Sequence, residues 1–249
     1  MMRWLALILL TAPLAWAQSS LDPRAAAMLT TLPPYGAAYD YQFFDENDSS
    51  GNGRHLTATG TPVFTGRGEV VFEDSDSLSS DPIGGVLTNL SAAVWYKATN
   101  ASPSTSHYIV GQMRFSTNER GWYIGRVPSS YGGDGNSPGF YHNSIGLGSP
   151  YSLYILDEIN ISDNTWHHLA FTLNGKDIRC FFDGVEHTPY VYKYGGSSGP
   201  GARATAQVVI NGSEDGTLSQ SCRVGHVYIY QRTISPSEVY ELYLEGPPQ

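Results

Sequence analysis

Residues 166–182, WHHLAFTLNGKDIRCFF, decide the fold. Trp166–Leu173 reads as a strand, Asn174-Gly175 as the favoured two-residue hairpin turn, and Asp177–Phe182 as the returning strand. Side chains alternate between the faces of an extended chain. His167, Leu169, Phe171 and Leu173 therefore share one face, and Ile178, Cys180 and Phe182 share one face of the partner strand. Asp183-Gly184 then turns the chain again.

Similar short runs recur on both sides. Glu69–Phe72, Leu90–Lys97, Tyr108–Phe115, Trp122–Val127, Gln207–Ile210 and Arg223–Tyr230 are strand-like, and Leu90–Lys97 is apolar on both alternating sets, as a strand covered on both faces requires. Gly, Asn, Asp and Ser punctuate the runs at short intervals, which predicts an all-β, two-sheet antiparallel β-sandwich. One helix is expected. Ser235-Pro236-Ser237-Glu238 is a capping box with proline at the first helical position, Val239, Leu242 and Tyr243 follow at helical spacing, and Gly246 with Pro247-Pro248 ends it. Residues 128–150 and 195–206 read as long surface loops, and no internal repeat is present.

The chain has 249 residues, 14 Lys+Arg against 23 Asp+Glu, and a net charge of −9. The length suits one large all-β domain, and an acidic balance offers no basic face to nucleic acid. Residues 1–17, MMRWLALILLTAPLAWA, combine Arg3, a short apolar run and Ala15-Trp16-Ala17, the pattern of a cleaved secretory leader. That run is too short to span a bilayer, and no other apolar stretch is long enough. The expected organisation is a leader over 1–17, a linker over 18–36, one domain over 37–246 and a tail over 247–249. Secretion would place the domain in an extracellular or periplasmic, oxidising space. There one intramolecular disulfide between Cys180 and Cys222 is the expected pairing, the other reading being two buried free thiols.

Four segments, in order, carry a resemblance to a known family. They are Asp40-Tyr41-Gln42-Phe43 with Asp48-Ser49-Ser50-Gly51-Asn52-Gly53-Arg54-His55, then 90–97 (LSAAVWYK), then Trp166-His167-His168-Leu169-Ala170 with Phe182-Asp183-Gly184, and finally 227–235 (VYIYQRTIS) with Glu238. Together they resemble the bacterial type of laminin-G-like domain, in the concanavalin A-like lectin and glucanase superfamily. The resemblance spans about Tyr39 to Gly246 and implies a jelly roll with one concave sheet. Where that family often carries an acidic pair before the last strand, this chain has Gly225 and His226.

Candidate chemistry is sparse. The strand pattern Glu-x-Asp-x-x-Glu of glycosidases on this kind of fold is absent, and Glu69, Glu73, Asp74 and Asp76 read as a solvated strand end. His167 and His168 point to opposite faces of a strand and cannot share one ion. Polysaccharide lyases on jelly rolls use Tyr, His, Arg and Gln, types present here without a motif. The run from Asp45 to Asn52 is dense in hard oxygen ligands of the kind calcium prefers, with Asp48 and Asn52 the foremost ligands. Its other reading is an Asx-type turn that bonds its own backbone. Tyr190, Tyr192 and Tyr194 alternate along an extended segment and form a candidate sugar platform, extended by Trp122, Tyr123, Tyr151 and Tyr154; the other reading is tyrosines filling core and edges. The expected function is a secreted, non-catalytic, lectin-like module binding a carbohydrate or glycoconjugate at a cell surface or matrix. The alternatives are an adhesion module binding an extracellular protein and, third, a glycan lyase or hydrolase.

Overall fold

The computed structural model describes residues 36–99, 106–114, 119–131, 135–143, 151–194, 202–203 and 205–249. The expected leader over 1–17 and the linker up to Tyr35 lie outside the described residues.

Two large antiparallel sheets dominate. The first contains β1 (Tyr39–Tyr41), β3 (Val63–Phe64), β4 (Glu69–Phe72), β7 (Asn89–Ala98), β12 (His167–Asn174), β13 (Asp177–Phe182), β14 (Val185–His187) and β18 (Cys222–Tyr230). Its order is β14-β13-β12-β7-β18-β4-β3, with β1 also paired to β18. The second contains β2 (Thr57–Thr59), β5 (Ser77–Ser80), β8 (His107–Arg114), β9 (Glu119–Arg126), β10 (Pro138–His142), β11 (Tyr151–Ile155), β15 (Tyr190–Tyr194) and β17 (Val208–Ile210), in the order β15-β11-β10-β9-β8-β17-β5-β2. A short ribbon pairs β6 (Val86–Leu87) with β16 (Ala202–Arg203).

Strand alternation sorts the apolar residues into three layers. Leu169, Phe171 and Leu173 of β12, Val224, Val227 and Ile229 of β18, and Trp122 and Ile124 of β9 form the core between the sheets. The outer face of the first sheet, with Ala93, Ala170, Tyr228 and Tyr230, lies under α1 (Pro236–Leu244) through Val239 and Leu242. Ser235 caps α1 in the expected box: its hydroxyl accepts from the Glu238 N–H while Glu238 accepts from the Ser235 N–H. Pro248 packs over Gly225, where a Cβ would come within 2.2 Å of the proline ring. An acidic residue in place of Gly225 would displace that contact.

The hairpin that opens the sequence reading is present, with its turn displaced by one residue. Asn174 pairs with Asp177, so the loop is Gly175-Lys176, and Gly175 has φ +65. Glycine first in a two-residue loop is the type II′ arrangement, which spares asparagine the left-handed conformation.

The disulfide is not formed. Cys180 and Cys222 are free, buried thiols. Sheet order explains why: β13 and β18 are separated by β12 and β7, three strand spacings or roughly 14 Å, against a Cα separation near 6 Å in disulfides. Burial pushes both thiols well above the usual range. Among the described residues no helix is long and apolar enough to cross a membrane.

Candidate functional site: a tyrosine-lined cleft

The first sheet's outer face is covered by α1, so the outer face of the second sheet is where side chains are free to build a site. A row of tyrosines crosses it. Tyr108 of β8 stacks on Tyr123 of β9 with ring centroids 4.1 Å apart, Tyr123 on Tyr141 of β10 at 5.0 Å, and Tyr141 leans on Tyr151 of β11 at 5.1 Å. Tyr192 of β15 continues the row at 6.5 Å from Tyr151 and meets Tyr131 edge-on at 5.3 Å. Glycine makes room for this row. Gly111 lies opposite Tyr123, and a Cβ there would come within 2.6 Å of the Tyr123 Cβ.

A loop fixes one wall. After β17 the chain folds back along β8: the Gly212 N–H donates to the Tyr108 carbonyl (2.8 Å), the Glu214 N–H to the Met113 carbonyl (2.9 Å), and the Leu218 carbonyl accepts from the Tyr108 N–H (3.3 Å). Arg114 and Glu214 form an ion pair beside it. Tyr108, Tyr123, Tyr131, Tyr141, Tyr151 and Leu218 then line a cleft of about 210 Å³.

Rings stacked on one another hide their faces. Tyr108, Tyr123, Tyr141 and Tyr151 are each under a tenth exposed and present edges and hydroxyls to the cleft. Tyr123 is hydrogen-bonded to Tyr108, and Tyr151 to Tyr131. Burial, then the neighbouring phenols, push Tyr123 and Tyr151 well above the usual phenol range. The hydroxyls of Tyr123 and Tyr151 therefore stay protonated at ordinary pH and can both donate and accept. Such a surface matches a neutral polyhydroxyl ligand.

The sequence-expected residues divide. Tyr192 lies in the row, and Tyr190, 53% exposed, stands on the same face at the edge strand. The side chain of Tyr194 lies outside the described residues. Trp122 is displaced from the expected platform: it is fully buried on the opposite face of β9, against Phe171, and its indole N–H donates to the Gln112 side-chain carbonyl at 2.8 Å. Tyr154 also faces inward, stacked on His142 at 5.7 Å. Tyr108, Tyr131 and Tyr141 are the residues the sequence reading missed.

The calcium reading meets a poor donor set. Asp48 Oδ1 accepts from the N–H groups of Asp40 (3.1 Å) and Ser50 (2.9 Å); Oδ2 accepts from the Arg54 N–H (3.1 Å) and the Ser50 hydroxyl (2.8 Å). Asn52 aims its amide nitrogen, a donor, at the carbonyls of Ala37 and Ala38. Both residues are committed to closing their own loop, so they do not fit a cation. Among the described residues no group of three or more His, Cys, Asp or Glu is placed to hold a metal ion.

Tyr, His, Arg and Gln do converge, but away from the cleft. The Tyr96 hydroxyl lies 3.2 Å from His107 Nδ1, His107 Nε2 lies 2.6 Å from Asn211 Oδ1, and Arg126 donates to Gln220 and Ser162. Tyr96, His107 and Arg126 are fully buried between the sheets, and burial lowers His107 to about 4. The acidic strand end is likewise committed: Asp76 accepts from the N–H groups of Thr61 and Glu73, and Asp74 from Ser221. His167 and His168 do point to opposite faces, the first hydrogen-bonded to Asp183, the second tilted against the Trp95 ring.

A family model described as "Concanavalin A-like lectin/glucanases superfamily" matches residues 72–240. The chain belongs to this superfamily. No curated protein matches the chain. Superfamily architecture recurs in solved structures of low identity. Domain 4 of AbnA, a GH43 extracellular arabinanase from Geobacillus stearothermophilus solved with arabinotriose, is 18% identical with a TM-score of 0.60, over 84% of this chain and 98% of that one. The binding domain of Paraclostridial Mosquitocidal Protein 1 is 17% identical, TM-score 0.59, over 84% of this chain and 52% of that one. The binding domain of botulinum neurotoxin DC, solved with rat synaptotagmin II, is 13% identical, TM-score 0.62, over 84% and 51%. This chain thus spans about half the length of the two toxin binding domains. Likeness at this identity establishes the shared fold alone.

Proposed function

We propose that this domain is a secreted, non-catalytic carbohydrate-binding module whose ligand sits in the tyrosine cleft on the second sheet. The observation that carries the proposal is the tyrosine row from Tyr108 to Tyr192, whose members Tyr108, Tyr123, Tyr141 and Tyr151 line a cleft of about 210 Å³. A rigid sheet holds the row, so little ordering entropy opposes binding. A domain of similar fold is solved with arabinotriose, which supports a sugar ligand. The leader-like residues 1–17 support export to a cell surface or matrix.

A protein ligand is the second reading. It is favoured by the edge strand β15, where Tyr190 and Val191 are exposed and one row of backbone groups is open to another strand. A glycan array probed with the mature chain and with its Tyr141→Phe and Tyr192→Ala variants tests the first reading. Selective binding weakened by both variants is expected. Binding indifferent to both would move the site elsewhere, and no binding at all would favour the protein ligand.

A further inference from the structure

The loop that walls the tyrosine cleft also walls a second one. On its other side, over β17, β5 and β2, Thr59, Ser77, Ser79, Gln207, Ser213 and Asp215 line a cleft of about 360 Å³. It has no aromatic lining among the described residues. Ser77 and Ser79 project from β5 on the face opposite the core residue Leu78, and Val209 of β17 floors the cleft between them and the loop. The loop is anchored on this side too, with Glu214 accepting from the Gln207 N–H (2.8 Å) and Ser213 donating to Asp215 (2.6 Å).

The two clefts share one sheet face and one dividing ridge, yet differ in chemistry. One offers ring edges and phenol hydroxyls. The other offers aliphatic hydroxyls, an amide and the carboxylates of Glu214 and Asp215, a mixture of donors and acceptors that pairs with sugar hydroxyls. Their sizes also matter. Small-ligand sites usually measure roughly 300–1,000 Å³, so the tyrosine cleft falls below that range and the second only enters it. From β9 to β5 is three strand spacings, roughly 14 Å. A ligand confined to the tyrosine cleft cannot touch Ser79.

We infer that the second cleft is a subsite of the same binding face, and that the preferred ligand is a neutral oligosaccharide long enough to cross the ridge at residues 213–218 and occupy both clefts. The inference rests on the carbohydrate reading and sharpens it from sugar to chain.

The test is calorimetric titration with linear arabino-oligosaccharides and cello-oligosaccharides, from trisaccharide to octasaccharide, of the mature chain and of its Thr59→Trp and Gln207→Ala variants. Thr59 is exposed at the edge strand, so the bulky replacement fills the cleft without entering the core. In one series affinity should rise at least tenfold between the trisaccharide and the longest chain. Both variants should erase that rise and leave trisaccharide affinity unchanged. Equal affinity at every length, or a rise untouched by both variants, overturns the second subsite and leaves the tyrosine-cleft reading standing. Absence of binding by every member of both series overturns the two together.

Discussion

Asp40 gives the sharpest physical test of the fold. Its side chain is fully buried on β1, the Gln42 side chain gives its carboxylate no more than a weak hydrogen bond, and it interacts with Glu245 beyond α1 and the β18 tyrosines Tyr228 and Tyr230. Burial, and then Glu245, push its carboxyl up from 3.8 to about 7, while Gln42 offsets only part of the rise. About 3 pH units at 1.36 kcal/mol each make roughly 4 kcal/mol of linked stability. The folded state holds this proton more tightly than the unfolded chain. Stability from Asp40 is therefore full below pH 4, falls as pH rises to about 7, and is flat above. The wild-type curve will not show this alone. Burial lowers His107 to about 4 and His168 to about 3, and each contributes stability that grows as pH rises toward 6.5. The Asp40→Asn variant removes one side of that contest and keeps nearly the same shape. Its stability relative to wild type, from urea unfolding followed by tryptophan fluorescence, should improve by about 4 kcal/mol between pH 4 and pH 8. A difference that is the same at both pH values would refute the reasoning, because it would mean that Asp40 ionises in the folded protein as easily as in water.

Four further outcomes follow from particular contacts. Tyr141→Phe removes one cleft hydroxyl and should weaken glycan binding about 3–10-fold, the worth of one hydrogen bond, whereas Trp122→Phe, on the opposite face, should leave affinity unchanged; titration of both variants checks this. Asp48→Ala strands three N–H groups and a hydroxyl, and should cost about 3 kcal/mol or more in chemical denaturation. Calcium should not raise the wild-type melting temperature, and a rise that Asp48→Ala abolishes would show that the loop opens to take the ion. Thiol titration of the chain unfolded without reductant should find two free thiols, and reducing agent should leave the melting temperature unmoved, where a disulfide would contribute roughly 3–4 kcal/mol.

The sandwich was legible because its signals are local. The hairpin at 166–182, the doubly apolar strand read over Leu90–Lys97, and the Ser235 capping box each need only a few residues, and each forms in the structure. The failed disulfide was not local. Oxidising conditions make pairing of two cysteines the economical guess, but sheet order places β12 and β7 between them, and order is a long-range property that spacing does not encode. Calcium failed to find support for a related reason. A cluster of oxygen ligands and an Asx-type turn have the same composition, and the three-dimensional path of the loop makes its own N–H groups the partners of Asp48.

The cleft turns on which face of a strand each aromatic takes, and here the sequence held a signal that went unread. Alternation places Trp122 with Ile124 on one face of β9 and Tyr123 with Gly125 on the other. The apolar pair belongs to the core and the tyrosine with its glycine to the open face, where missing side chains leave space for a ring. A Cβ at Gly125 would lie 3.1 Å from the Tyr123 ring. Gly139 stands two residues from Tyr141 on the same face of β10, where a Cβ would meet Val127 and Leu153, and Gly111 faces Tyr123 from β8. Tyrosine accompanied on its own face by glycine thus marks the open surface, and tryptophan accompanied by isoleucine marks the interior. By that rule the Tyr190–Tyr194 strand is one edge of the tyrosine row, and the centre of the row lies inward on β9 and β10, where the rings of Tyr123 and Tyr141 stack 5.0 Å apart.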